Sequence, residues 1–297
     1  MKYFASLDIG GTAVKYGVVT SDGAILTKGE TATEAGKGPE VWMKKVTSAI
    51  GDMKASYPVG GICVSSTAMI DSDRGRVFFS LPQVPDYTGF EVKKYLEDKC
   101  GLVTEVENDV NSVALAESIS GAGKGYDSVL SLAVGTGIGG GFTVKGKLLR
   151  GHTFSACEVG YIKVDGGTLE SMGSTSALCR RIEKYKGDET FSWNGKRVIA
   201  EALKGDSDAL RALDIMTSSI ADGLVSLSYI LNPAVIVLGG GIMKNTFLVD
   251  EIRSKYRLSI NPLIGERTEV VKAVYDNDAG LLGAFYHFAE KHPEVLQ

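Results

Sequence analysis

Glycine, threonine and aspartate recur in this chain at spacings that suit the handling of a phosphate chain. In LAVGTGIGGGFTVKGKLL, Leu132–Leu149, an apolar run delivers Gly135, Thr136, Gly137 and Gly139. Glycines let backbone N–H groups approach an anion, and a threonine hydroxyl adds a donor. The opening, LDIGGTAVKYGVVTSDGAIL at Leu7–Leu26, repeats the plan with Gly10, Gly11 and Thr12, and places Asp8 just before the turn. A carboxylate there suits Mg²⁺ held through water, since Mg²⁺ takes oxygen ligands and keeps much of its hydration. A third run, AVIVLGGG at Ala234–Gly241, ends in Gly239, Gly240 and Gly241, where a flat ligand can lie on the backbone. One such cluster is an ordinary tight turn; three, each closing an apolar run, are much harder to dismiss as turns alone. ENDVN, Glu107–Asn111, offers Asp109 as the carboxylate that takes the proton of an attacking hydroxyl during phosphoryl transfer. Local sequence leaves a second reading equally open, that Asn108 or Asp109 caps the helix beginning there.

The elements that hold these residues follow from periodicity. Gly135, Gly137 and Gly140 fit G-x-G-x-x-G, which marks a dinucleotide site only when a helix follows. Here Phe142–Val144, the turn Lys145-Gly146 and Lys147–Leu149 read as strand, turn, strand. The dinucleotide reading keeps one support, an acid at Glu158 roughly 20 residues on. Both glycine turns therefore join hairpin strands, one hairpin in each half of the chain, and the two are expected to hold a polyphosphate from either side of a central cleft. Helices are expected at Pro39–Lys54, Phe90–Lys99, Val110–Ile119, Ser174–Lys186 (Ser174 as N-cap), Val198–Lys204, Ala209–Leu231, Lys244–Arg257 and Ala279–Lys291. Strands are expected at Gly60–Val64, Val103–Glu107, Ala234–Leu238 and Val270–Val274. The glycine-rich Ser120–Tyr126, SGAGKGY, predicts a boundary between α/β domains at 1–119 and 120–297, with the last helix, 279–297, packing back on the first domain.

A chain of 297 residues is long for one core. With 44% apolar and 23% charged residues and a net charge of −4, it gives no electrostatic reason to expect nucleic acid or a membrane surface as partner. The N-terminal apolar run meets Asp8 too soon for a signal peptide, and no segment offers about 18 unbroken apolar residues, so a cytoplasmic protein is expected. Cys63, Cys100, Cys157 and Cys179 are scattered, without metal or disulfide spacing, and His152, His287 and His292 are read as structural.

Taken together, DIGGT (Asp8–Thr12), ENDVN (Glu107–Asn111), VGTGIGGG (Val134–Gly141), EVGYI (Glu158–Ile162) and LGGGI (Leu238–Ile242) resemble, in order and spacing, the ROK family (repressor, open reading frame, kinase) along nearly the whole chain. The resemblance implies the two-domain actin-like ATPase (ribonuclease H-like) fold, ATP and Mg²⁺ as co-substrate and cofactor, phosphorylation of a sugar hydroxyl, and a homodimer. It makes Asp109 the catalytic base and Asn108, Glu158 and Glu170 sugar contacts, the glutamates accepting hydrogen bonds from ring hydroxyls. Ser65–Ala68, including Ser66 and Thr67, is expected to line the sugar pocket. Asp8, Gly10, Gly11, Thr12, Thr136, Gly137, Gly139 and Gly239–Gly241 face the nucleotide. Lys15 is read as a solvated hairpin lysine.

Three departures bear on the sugar. Tyr161 stands where many members carry histidine, KVDGGTLESMG (Lys163–Gly173) replaces their cysteine zinc module, and FFSLPQVPDYTGF (Phe78–Phe90) lacks their asparagine. Without those cysteines no thiolate zinc site can form there. The pattern is most similar to zinc-free β-glucoside kinases, which phosphorylate the 6-hydroxyl of a disaccharide such as cellobiose; a glucokinase or N-acetylmannosamine kinase is the alternative. A sugar-responsive repressor would need an added helix-turn-helix, a dinucleotide oxidoreductase leaves the repeated hairpin unexplained, and a non-catalytic sugar-binding protein leaves Asp8 and Asp109 unused.

Overall fold

In a computed structural model, describing residues 1–82, 84–188, 190 and 192–296, the apolar run to Asp8 is strand β1 (Tyr3–Ile9). It continues antiparallel into β2 (Ala13–Thr20) and β3 (Ile25–Ala32). β3 alternates half-buried and exposed residues along its length, the pattern of an edge strand wetted on one face. Then come α1 (Pro39–Ser56), β4 (Val59–Ser66), a small hairpin of β5 (Met69–Asp71) and β6 (Arg76–Phe79), α2 (Val92–Cys100), β7 (Thr104–Asn108) and α3 (Asp109–Ile119). The sheet order is β3-β2-β1-β4-β7, with β4 and β7 parallel to β1.

The second sheet repeats this plan. β8 (Ser128–Val134), β9 (Ile138–Val144) and β10 (Lys147–Leu148) form the antiparallel hairpin. A short ribbon of β11 (Lys163–Val164) and β12 (Gly167–Thr168) precedes α4 (Leu169–Gly173), α5 (Thr175–Lys186), α6 (Gly195–Leu203) and α7 (Ser207–Leu231). β13 (Val235–Gly239) runs parallel to β8, followed by α8 (Thr246–Ser259), α9 (Pro262–Gly265), β14 (Glu269–Lys272) and the last helix, α10 (Ala279–Lys291). The order β10-β9-β8-β13-β14 matches the first sheet strand for strand, so the fold is α/β with duplicated hairpin-containing halves.

By contacts the chain divides into two units: Met1–Ile119, Arg150–Ala156 and Asn277–Gln297, and Ser120–Leu149 with Cys157–Asp276. Each has its own core. Leu7, Ile9, Ile62, Val64 and Val106 meet Trp42 and Leu96 in the first; Leu132, Ile236 and Leu238 meet Ile220 and Leu224 of α7 in the second. α10 packs on α3, β1, β4 and β7 of the first unit. The close fit to α3 depends on Gly283, where a Cβ would overlap the Ser112 backbone.

Several boundaries differ from the periodicity. Ser65 and Ser66 belong to strand β4, which runs two residues past the expected end at Val64. α8 starts at Thr246, not Lys244, because Gly241–Lys244 forms a 3₁₀ turn and Asn245 caps the helix, its side chain accepting from Phe247 N at 3.0 Å. α6 starts earlier than expected, at Gly195, capped by Asn194. The helix expected from Phe90 starts at Val92, and the strand expected over Val270–Val274 is Glu269–Lys272. Ser174 does cap α5, accepting from Ala177 N at 3.1 Å. The ribbons β5–β6 and β11–β12 have too few residues to show a period. Gln83, within the Phe78–Phe90 stretch, and Gln297, at the end of the segment 279–297, lie outside the described residues. Among the described residues no helix is long and apolar enough to cross a membrane.

Candidate active site

β1 carries Asp8 to the mouth of the first turn. Its carboxylate accepts from Ser65 Oγ at 2.8 Å and lies 3.8 Å from Lys15 Nζ, with 18% of the side chain exposed. Burial pushes its pKa up, and the Ser65 hydrogen bond and Lys15 charge only partly offset that. Lys15, read as solvated, thus faces the carboxylate. Gly280, near the start of α10, leaves the room that Asp8 occupies, since a Cβ there would sit 2.6 and 2.7 Å from its oxygens. The turn is fixed by Gly10 N donating to Ala13 O at 3.0 Å and Thr33 Oγ1 donating to Gly10 O at 2.7 Å; Gly11 and Thr12 are exposed, with open space over Gly11.

Asp109 opens α3 where β7 ends. Asn108 Oδ1 accepts from Val110 N at 2.9 Å and Asn111 N at 3.0 Å, which makes Asn108 the helix cap. Its Nδ2 donates to Ala68 O and to Asp109 Oδ1, each at 2.9 Å. Of the readings that the local sequence left open, the capping one is met by Asn108, whose amide also holds the neighbouring carboxylate. Ser66 is fully buried, its hydroxyl paired with Tyr87 Oη at 2.6 Å and donating to Thr67 O at 3.0 Å. It therefore braces the turn at Thr67, whose N–H donates to Ile9 O at 2.8 Å. Burial pushes the Tyr87 phenol up to about 12, so it stays protonated.

In the second unit the turn after β8 is held by Gly135 N donating to Gly137 O, and Thr175 N to Gly135 O, each at 2.9 Å. Ile138 N donates to Glu170 Oε2 at 3.0 Å, so Glu170, expected as a sugar contact, also ties the phosphate-type turn to α4. Gly240 has a φ of 99°, and a Cβ there would strike the Val134 carbonyl. A cavity of about 1050 Å³ opens beside Gly135, Thr136 and Gly241, lined also by Thr175, Arg180, Trp193, Asn194 and Lys196. None of these last five was expected as a site residue from sequence. Gly139 lies within β9 and Gly239 ends β13. Glu158 precedes a 3₁₀ turn, Val159–Tyr161, and partial desolvation and then the charge of Glu170 raise its pKa. Tyr161, on that turn, is 66% exposed.

No helix opens at the Gly135–Gly140 glycines, so the dinucleotide geometry is absent; β9 begins at Ile138 and contains Gly139 and Gly140. Among the described residues no group of three or more His, Cys, Asp or Glu could hold a metal ion.

The model of the ROK family matches residues 4–291. The chain belongs to the ROK family. Within that family it is 30% identical to a β-glucoside kinase of Listeria monocytogenes, across 97% of both chains. A solved structure from Listeria monocytogenes, described as that of a candidate N-acetylmannosamine kinase, superposes with a TM-score of 0.89 at 30% identity, covering 98% of this chain and 99% of its own. The ROK glucokinase of Streptomyces griseus, solved with glucose and AMPPNP, superposes with a TM-score of 0.82 at 27% identity, covering 95% and 97%. The duplicated sheets of this ROK chain are accordingly those of the actin-like ATPase fold.

Proposed function

We propose that this ROK carbohydrate kinase transfers the γ-phosphoryl group of ATP to the 6-hydroxyl of a β-glucoside such as cellobiose. The observation that carries the kinase reading is the second-unit cavity: it ends at the Gly135–Thr136 turn and at Gly241, and its volume of about 1050 Å³ admits a nucleoside triphosphate. Asp109 accepts the proton of the attacking hydroxyl as the new P–O bond forms, and Asn108 holds that carboxylate in place. Thr12 and Thr136 donate to phosphate oxygens, beside turns whose glycines keep the backbone accessible.

A single oxygen-donor carboxylate, largely buried at Asp8, fits a hard cation that arrives on the triphosphate and keeps water in most positions. Bound there, Mg²⁺ neutralises the charge that builds on the phosphates.

For the acceptor, Glu158 and the second oxygen of Glu170 offer places for ring hydroxyls. The exposed ring of Tyr161, three residues after Glu158, offers an apolar face on which a second sugar stacks, which favours a glucoside over a monosaccharide. A glucokinase or N-acetylmannosamine kinase is the second reading, favoured by the structural neighbours so described. Comparing kcat/KM for cellobiose, methyl β-glucoside, glucose and N-acetylmannosamine decides between them. The two glucosides should lead; a clear preference for either free monosaccharide overturns the glucoside assignment, and no turnover with any sugar overturns the kinase reading.

A further inference from the structure

Beneath the ENDVN stretch lies a charged cluster that the chemistry above does not use. The Glu107 side chain is 1% exposed, yet four groups surround its carboxylate. Oε1 accepts from Asn108 N at 2.9 Å and Asn111 Nδ2 at 3.0 Å; Oε2 accepts from Arg150 Nε at 2.7 Å and lies 3.7 Å from His287 Nδ1. Arg150 Nη2 reaches His287 Nδ1 at 3.1 Å and Glu290 Oε2 at 3.2 Å, both on α10. Because arginine only donates, His287 Nδ1 accepts and the ring carries its proton on Nε2. Burial also lowers the pKa of His287, so the ring stays neutral and Arg150 alone balances Glu107.

The cluster points one way along the chain. Arg150 fixes Glu107, Glu107 fixes the backbone of Asn108 and the side chain of Asn111, and Asn108 Nδ2 fixes Asp109 Oδ1. From these contacts we infer that Glu107 and Arg150 are positioning residues for the Asp109 carboxylate, an inference that rests on Asp109 being the base. An uncompensated buried carboxylate rearranges toward other donors, and its nearest are the two asparagines that shape the head of α3. Arg150 also opens the segment Arg150–Ala156, which belongs to the first unit although chain of the second unit flanks it on both sides, and which ends two residues before Glu158.

The test compares Arg150→Lys, Arg150→Met and the double variant Glu107→Gln/Arg150→Met with wild type and Asp109→Asn, reading kcat, both KM values and the melting temperature. Arg150→Lys keeps the charge but not the three-way fork. It should melt near wild type while kcat falls about 10–100-fold, as a displaced catalytic group causes, with each KM within about threefold. The double variant removes the lone buried charge and keeps an acceptor for Asn108 N and Asn111 Nδ2, so it should fold even where Arg150→Met does not and recover part of the lost kcat. Arg150→Lys and the double variant, both folded, with kcat within twofold of wild type or with losses only in KM, would overturn the inference. If Asp109→Asn retains turnover, the base assignment falls instead, and the two failures are told apart.

Discussion

At the scale of single residues, Asp8 shows how burial sets the hold of a carboxylate on its proton. The folded chain holds its proton to a higher pH than an exposed aspartate does, because desolvation outweighs the Ser65 hydrogen bond and Lys15. Acidification therefore neutralises it while ordinary aspartates are still charged. We expect KM for MgATP to climb over that range. Stability has the opposite sense: the folded state binds the extra proton, so this group's contribution declines as pH rises from the ordinary value of 3.8 through the raised one. Lys15→Met removes the cation 3.8 Å away and should move the break in the MgATP profile to still higher pH; an unchanged break would show that Lys15 does not act on Asp8. Glycine turns, Asp8 and ENDVN were legible in the sequence because each is local, a few residues whose types imply their neighbours. Glu107 was legible only as a motif letter. Its counter-charge, Arg150, comes 43 positions later and its histidine neighbour is on the last helix, so no local spacing announces either.

At the scale of elements, periodicity found most helices and strands, and failed where a capping side chain rather than an apolar period set the boundary, as Asn245 does for α8 and Asn194 for α6. The cavity beside Thr136 was hidden for a related reason: Arg180, Asn194 and Lys196 look like solvated polar positions until helices and a loop turn them toward one space. The α3–α10 contact is a sharper case of what sequence conceals. Gly283→Ala should gain about 1 kcal/mol of helix propensity, yet its Cβ would meet the Ser112 carbonyl, and overpacking of that kind costs about 1–3 kcal/mol. A lower melting temperature is the expected result, with a fall in kcat, because α3 carries Asp109. A more stable variant of unchanged activity would mean the two helices separate freely.

At the scale of the whole molecule, each unit has a core, and only the second contains the cavity assigned to nucleotide. AMPPNP at about 100 times its Kd should stabilise the protein by about 2.7 kcal/mol, and should do so equally in Asp109→Asn. It should also change tryptophan emission. Of the two tryptophans, Trp42 lies in the core of the first unit and Trp193 lines the cavity, so Trp193→Phe should abolish the change; a signal that survives would place the nucleotide elsewhere. The path of the chain through the two units has one more consequence, for synthesis on the ribosome. Chains are made N-terminus first, and domains commonly fold in that order. Here the unit that contains Met1–Ile119 lacks α10, Gly280 beneath Asp8, and His287 and Glu290 beside Arg150 until Asn277–Gln297 emerges, whereas the unit built from Ser120–Leu149 and Cys157–Asp276 has all its segments by then. The half that starts first finishes last, so the aspartate read as the base takes its final place only after every segment of the other unit has been made.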